Sequence, residues 1–390
     1  MPHLRTCLVV ALLALPLGAC AAPRTAQRDP YAVPGGARLD ADVRAARVVY
    51  AGELHDDRAQ HAFQLELLRT MADQARRDGA PLLLGMEMFQ RPFQRHLDDY
   101  VAGRIDELEM LRRTEYFERW RYDHTFYAPL WRFCREHGIR VVALNAEAGI
   151  VRQVGREGLA SLDAAQRASI ASVIDLDVAA HRERILGVFQ GGAHQMPEAR
   201  LNAMYEAMTT WDETMAESAA DALAEAGPRS RMLIVAGSQH VQERTGIPDR
   251  VARRMPGIAS TLVVMRTVGR DGADDPDSVG DHVVRLPAAP EVPPSRLGVQ
   301  LATVPEPDGL LVQSVVEGGN AARAGLLAGD VLAAIDGAPV TDMTDLRYAL
   351  DATPPHGVRN VTVLRDGQRL ALRVVFEPPA PPPEAPVIQG

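Results

Sequence analysis

Four apolar runs recur along the first two-thirds of the chain, and each breaks abruptly into polar residues. They read RVVYAGELH (47–55), PLLLGMEMF (81–89), IRVVALNAE (139–147) and RMLIVAGSQH (231–240). Each is short, rich in Leu or β-branched residues and nearly unbroken, the pattern of parallel strands buried on both faces. Helical periodicity fills the gaps. In AQHAFQLELLRTMADQARRDG, Phe63, Leu67 and Met71 recur every four residues and the pattern stops at Gly79. A fifth strand is expected at IASTLVVM (258–265). Strands alternating with helices predict an open, mostly parallel α/β sheet over residues 39–268. The third crossover is long, and its helical patterns predict a helical subdomain inserted at about 150–228.

At 390 residues the chain asks for a second folded unit. Residues 269–295 turn rich in Gly, Asp and Pro and read as a linker, with one short strand in HVVRL. A second domain spans 296–377, and a Pro-rich tail fills 378–390.

The polar residues that end the strands are chemically alike. Glu53 and His55, then Glu87, then Asn145 and Glu147, then Ser238, Gln239 and His240 all follow apolar runs. In a parallel sheet such positions share one edge, where ligands bind. Glu53, His55, Glu87 and His240 form a set able to hold a divalent metal ion or to move protons. For any one of them a structural role is the simpler reading, and Asp56 or Asp57 suits the cap of the next helix. Four strands ending this way together argue for a crevice. Gly52, Gly85 and Gly237 beside those positions allow close approach.

Composition narrows the chemistry. The formal charge of −9 gives no basic face for nucleic acid. Every basic residue is Arg, which excludes a Schiff-base lysine and the P-loop lysine. The first 20 residues carry Arg5, an apolar stretch too short to span a membrane, and LGAC ending at Cys20. That ending resembles a lipobox, with an ordinary secretory signal as the alternative. It implies a lipid on Cys20, a tether over 21–38, and an envelope location at the outer membrane facing the periplasm. Cys134 would then be the one remaining thiol, with no partner for a disulfide.

YAGELHDDRAQH, LGMEMFQRPFQRHLDDYVAG, VVALNAE, TTWDETMAESAADAL and VAGSQHVQERTGIPDRV resemble the successive motifs of ChaN-type haem-binding lipoproteins. That family is kin to Tiki and to the erythromycin esterases. The resemblance implies haem as cofactor, a role in haem or iron uptake, and a tyrosine ligand at a homodimer interface. Tyr100 and Tyr127 are the first candidates, with Tyr116 and Tyr122 behind them and His96 and His124 as a second ligand. EYFERWRYDHTFYAPLWRF offers apolar walls, though its aromatics suit plain core packing equally. The Met204, Met208 and Met215 stripe reads first as core, and His181 and His194 are weaker candidates. In hydrolase branches of the superfamily, a Gly-Glu-x-His motif like Gly52–His55 is associated with metal-dependent or acid/base chemistry.

NAARAGLLAGDVLAAIDG resembles the core of a mostly β PDZ domain. Arg296, Leu297, Gly298 and Val299 would form its carboxylate-binding loop, and Val299, Gln300 and Leu301 a sheet edge for a peptide C-terminus. The helix in DMTDLRYALD would form the facing wall. The expectation is a haem-binding domain joined to a PDZ domain for a protein partner. The alternative is a metal-dependent hydrolase or peptidase whose PDZ domain delivers substrate, and a PDZ scaffold is a third class.

Overall fold

The computed structural model describes residues 36–190, 196–270, 279–290, 292–304 and 309–377. Cys20, the tether, His194 and the Pro-rich tail lie outside the described residues. Six parallel strands form the first sheet: β1 (Val48–Glu53), β2 (Leu82–Gln90), β3 (Arg140–Asn145), β4 (Arg231–Gly237), β5 (Ser260–Thr267) and β6 (His282–Leu286). Their spatial order is β3-β2-β4-β1-β5-β6, so the last-but-two strand to be made, β4, sits between β2 and β1. The HVVRL segment therefore completes the parallel sheet, pairing with β5 from Val263↔His282 to Thr267↔Leu286.

Alternate residues of the central strands feed two separate cores. Val49 and Ala51 with Leu233 and Val235 face one layer of helices, while Val48 and Tyr50 with Met232, Ile234 and Ala236 face the other. This is why the runs lack polar alternation. The first layer holds α1 (Ala37–Ala45), α2 (Arg58–Asp78), α3 (Gln94–Val101), α4 (Glu107–Arg113), α5 (Tyr116–Arg119) and α6 (Ala128–His137). Asp57 caps α2, accepting from the Ala59 and Gln60 amides, and Gly79 ends it in the left-handed region. The insert contributes α7 (Ala148–Glu157), α8 (Ala164–Ser169), α9 (Ala179–Gln190) and the long α10 (Glu198–Glu225), after which α11 (Ser238–Val241) and α12 (Ile247–Arg254) follow β4. Among the described residues no helix is long and apolar enough to cross a membrane. Cys134 is buried in the first core, where burial raises its thiol pKa.

The second domain is an antiparallel sheet ordered β12-β11-β9-β8-β7. Its members are β7 (Val299–Val304), β8 (Gly309–Val315), β9 (Val331–Ile335), β11 (Val358–Arg365) and β12 (Gln368–Val375), with the short β10 (Ala338–Pro339) on β9. Two helices pack with it, α13 (Asn320–Arg323) and α14 (Met343–Asp351). β7 is an edge strand. Gly298 precedes it with φ +80, a conformation that favours glycine, and its carbonyl accepts from the Val316 amide at 2.9 Å. Leu297 is buried in this core, Val299 and Leu301 border it, and Gln300 is exposed beside Ser314. Ala349 and Leu350 of α14 border the same cluster.

Candidate functional site

The strand ends of β1, β2 and β4 lie side by side, and their side chains form two joined couples. Glu53, the last residue of β1, is fully enclosed. Its Oε1 accepts from the Tyr127 hydroxyl at 2.7 Å and lies 2.9 Å from His55 Nδ1. Its Oε2 accepts from Gln64 Nε2 at 2.7 Å and lies 3.0 Å from His61 Nδ1. Burial alone would raise this carboxyl, but the charge of His61 and the hydrogen bonds of His55 and His61 overcome it and hold the pKa at about 2. The same pairing raises His55 and His61 against the lowering effect of their burial.

The second couple begins where β2 leaves β4. Pairing between those strands ends at Met86↔Val235, and β2 then runs on to meet β3 at Gln90↔Asn145. Glu87 thus lies inside its strand rather than at its end. Its Oε2 accepts from the Gly237 amide at 2.7 Å, replacing the lost ladder bond, and its Oε1 lies 3.4 Å from His240 Nε2. His240 Nδ1 meets Asp212 Oδ1 at 2.6 Å, and Asp212 Oδ2 lies 2.9 Å from His181 Nε2. Arg250 Nη2 completes the chain at 3.0 Å from His181 Nδ1. Burial would lower His240, yet Glu87 and Asp212 on either side push it up to about 10. His181, for which burial outweighs the carboxylate, is lowered.

Gly237 is where the couples meet. A Cβ there would lie 2.8 Å from His55 Cε1 and 3.6 Å from Glu87 Oε2, so only glycine lets His55 lie against the strand. His55 is the open member, its side chain 26 % exposed. Trp120 and Tyr122 wall it, their ring centres 4.7 and 5.2 Å from the imidazole. Ser238 Oγ and Asn145 Oδ1 are buried at the same edge without a partner among the described residues, leaving polar atoms for a ligand to satisfy.

The four strand-end residues named from sequence as metal ligands are thus brought together, but as carboxylate–imidazole couples. Among the described residues, the group whose ligand atoms lie within 4.8 Å of one another is instead Asp123, His124 and Asp351. The four side chains expected near haem are dispersed. Tyr127 joins the strand-end network through Glu53. Tyr100 is buried under the Arg135 guanidinium, 4.9 Å from its ring centre, and burial pushes its phenol up to about 12. His124 is fully buried against Asp351 of α14, and Tyr116 is likewise enclosed. His96 sits half-buried on α3 facing Phe93. Tyr122 is the exposed one, at 37 %. Glu147 precedes α7 and faces Arg119 at 3.9 Å.

The Met stripe of α10 divides. Met215 is core, whereas Met204 and Met208 line a groove of about 400 Å³ between α7, α9 and α10. Val151, Phe189, Ala207 and Trp211 complete its apolar wall, and Arg152, Arg156 and Arg200 rim it. Trp211 stands between this groove and the network, its ring 5.8 Å from that of His240.

His61, Gln64, Asp212 and Arg250 join the network without standing out in the strand-end pattern. Asp212 carried a signal: with Glu213 it is one of two carboxylates in the otherwise uncharged run MTTWDETM, and carboxylates buried there need cationic partners. His61 carried a weaker one, lying on the first turns of α2 below Glu53.

The model of a family described as haem-binding uptake, Tiki superfamily, ChaN matches residues 39–251. The chain belongs to this family. A PDZ-domain model matches residues 311–365 of the second domain. The solved structure of ChaN from Campylobacter jejuni, titled for cofacial haem binding, superposes with a TM-score of 0.50 at 16 % identity, covering 63 % of this chain and 89 % of that one. At that identity it speaks for a shared ChaN fold. Among curated proteins, RETICULATA-RELATED 5 (chloroplastic) of Arabidopsis thaliana is 25 % identical over 237 residues, 56 % of this chain and 31 % of its own length. A DegP-like periplasmic serine endoprotease of Pseudomonas fulva is 30 % identical over 143 residues, 34 % of this chain and 28 % of its own. The chain therefore spans less than a third of the length of these two relatives, and the endoprotease likeness concerns the PDZ domain.

Proposed function

We propose that this ChaN-family chain binds haem, and that the groove between α7, α9 and α10 is its seat. The observation that carries the reading is an apolar wall of Phe189, Met204, Met208 and Trp211 rimmed by three arginines, in a chain of a haem-binding family. A porphyrin asks for apolar faces, and its propionates for guanidinium groups. Arg152 stands exposed at the rim. Among the described residues, the donor atoms of the groove suited to haem iron are the Met204 and Met208 thioethers. Iron within haem would be the cargo, and the protein's part is to hold it and to shield one face from water. Haemin titration tests this: a saturable Soret shift that weakens in Trp211→Ala is expected, and no shift would overturn it.

The same reading makes Cys20 a lipid anchor at the outer membrane and the β7 edge a seat for a partner's C-terminus. Cys20→Ser should then move the chain from the membrane fraction to the soluble one. Retention in the membrane would remove the anchor from the account.

A second reading, hydrolysis at the strand-end crevice, is favoured by one observation. His55 is open to solvent while bonded to buried Glu53 and walled by two aromatic rings, the setting of a tuned acid/base group. Glu53, His55, Glu87 and His240 would also be the residues to meet a divalent metal ion. Peptide hydrolysis lost in His55→Ala, with haemin binding intact, would support it. Absence of turnover with stoichiometric metal supplied would remove it.

A further inference from the structure

The PDZ domain meets the ChaN-type domain through α14, the helix that borders its peptide groove. Arg347 reaches out of α14 and donates from Nη1 to the Phe117 carbonyl and from Nη2 to the Arg121 carbonyl, both at 3.0 Å. Its guanidinium carbon lies 4.8 Å from the Phe117 ring centre. At the N-cap and first turn of the same helix Asp342 and Asp345 pair with Arg112, and farther along the Tyr348 hydroxyl donates to Glu107 at 3.3 Å. The Tyr348 ring stacks on buried His124, 4.9 Å between centres.

The two carbonyls held by Arg347 belong to a short segment anchored at its start by the buried Tyr116 and Phe117 side chains and by Arg119 on Gln90, and Arg347 ties down its Arg121 end. α5 is a single turn, and the last carbonyls of so short a helix have no partner within it. The chain enters it through Glu115 at φ +50 and leaves through Arg121 at φ +71, left-handed conformations that side chains with a Cβ disfavour. Such a segment persists where its neighbours fix it. What it carries is the wall of the strand-end crevice, since Trp120 and Tyr122 lie against His55.

We propose that Arg347 is a positioning residue for the strand-end crevice, a PDZ side chain that fixes residues 116–122 and so sets Trp120 and Tyr122 against His55. The PDZ domain is then a structural part of a site on the other domain rather than a tethered accessory. Val299 and Leu301 of β7 share an apolar cluster with Ala349 and Leu350 of α14. A peptide C-terminus seated between them bears on the helix that holds the crevice wall, and by reciprocity a crevice ligand bears on peptide binding. The positioning role rests on the crevice geometry and holds whichever ligand the crevice takes, while its coupling to a peptide rests on the proposed PDZ binding.

The test uses the full chain with Arg347→Ala, Arg347→Lys and, as a control on an exposed PDZ arginine, Arg369→Ala. Hydrogen exchange over 116–122 and the Trp120 indole N–H resonance are read, with thermal melting as the check on folding. Arg347→Ala should exchange about tenfold faster or more across 117–122 and shift the Trp120 resonance while melting cooperatively. Arg347→Lys, which restores one donor in place of a bridging pair, should fall between, and Arg369→Ala should match the parent. If Arg347→Ala does not fold, Arg347→Lys against Arg369→Ala carries the comparison. Parent-like exchange and an unmoved Trp120 resonance in a folded Arg347 variant would overturn the proposal.

Discussion

His240 Nδ1 lies 2.6 Å from Asp212 Oδ1, and this contact ties the inserted helix α10 to the end of strand β4. Asp212 is fully buried, with His181 on its other oxygen, so its removal leaves an imidazolium facing Glu87 alone. Asp212→Ala should destabilise the ChaN-type domain by roughly 3–5 kcal/mol, the cost of breaking a buried ion pair from one side. Chemical denaturation of the full chain, followed by Trp fluorescence, measures it.

Stability should depend on pH with a definite sign. His240 is raised from its ordinary 6.5 to about 10, so its contribution is complete below pH 6.5 and is lost as pH rises through 10. Glu53 is lowered from 4.5 to about 2, so its contribution is complete above pH 4.5 and is lost as pH falls through 2. Melting temperature should therefore peak between about pH 4.5 and 6.5. His240→Gln should flatten the alkaline limb, which thermal melts across pH will show.

Gly237→Ala should act on His55 rather than on the strand. The added methyl would sit 2.8 Å from His55 Cε1 and 3.1 Å from Nε2, driving the ring off Glu53. We expect the His55 pKa to fall toward its ordinary value, read by NMR titration, with a loss of about 1–3 kcal/mol from overpacking.

These residues also show what the sequence could reveal. The strands were legible because parallel strands buried on both faces leave unbroken apolar runs, as in Val48–Ala51. The convergence of Glu53, Glu87 and His240 was legible because strand ends in such a sheet share one edge. Which side chain bonds which was not. Glu87 faces Gly237 only because β2 outruns β4, a register detail with no local signal. His124 lies in an aromatic stretch and Tyr100 follows HLDD, and nothing local in the sequence shows that one is covered by α14 and the other by Arg135. The groove on the insert has no separate signature in sequence because Met204, Met208 and core Met215 share one helical stripe.

Charge at the rim of that groove should matter more than charge elsewhere on the insert. Arg152→Glu with Arg200→Glu should weaken haemin binding about tenfold or more and leave the melting temperature nearly unchanged, because both side chains are exposed. Arg229→Glu, an exposed arginine remote from the groove lining, should leave the affinity unchanged. Competitive titration against a haem-binding reference protein gives the ratio.

The most direct measurement is an equilibrium haemin titration of the full chain, followed at the Soret band, beside Trp211→Ala and the Met204→Ala, Met208→Ala pair. The account predicts a single saturating transition in the parent chain, weakened in Trp211→Ala, with a changed ligand-field spectrum in the methionine variant. No saturating transition, or one indifferent to all three substitutions, would contradict it.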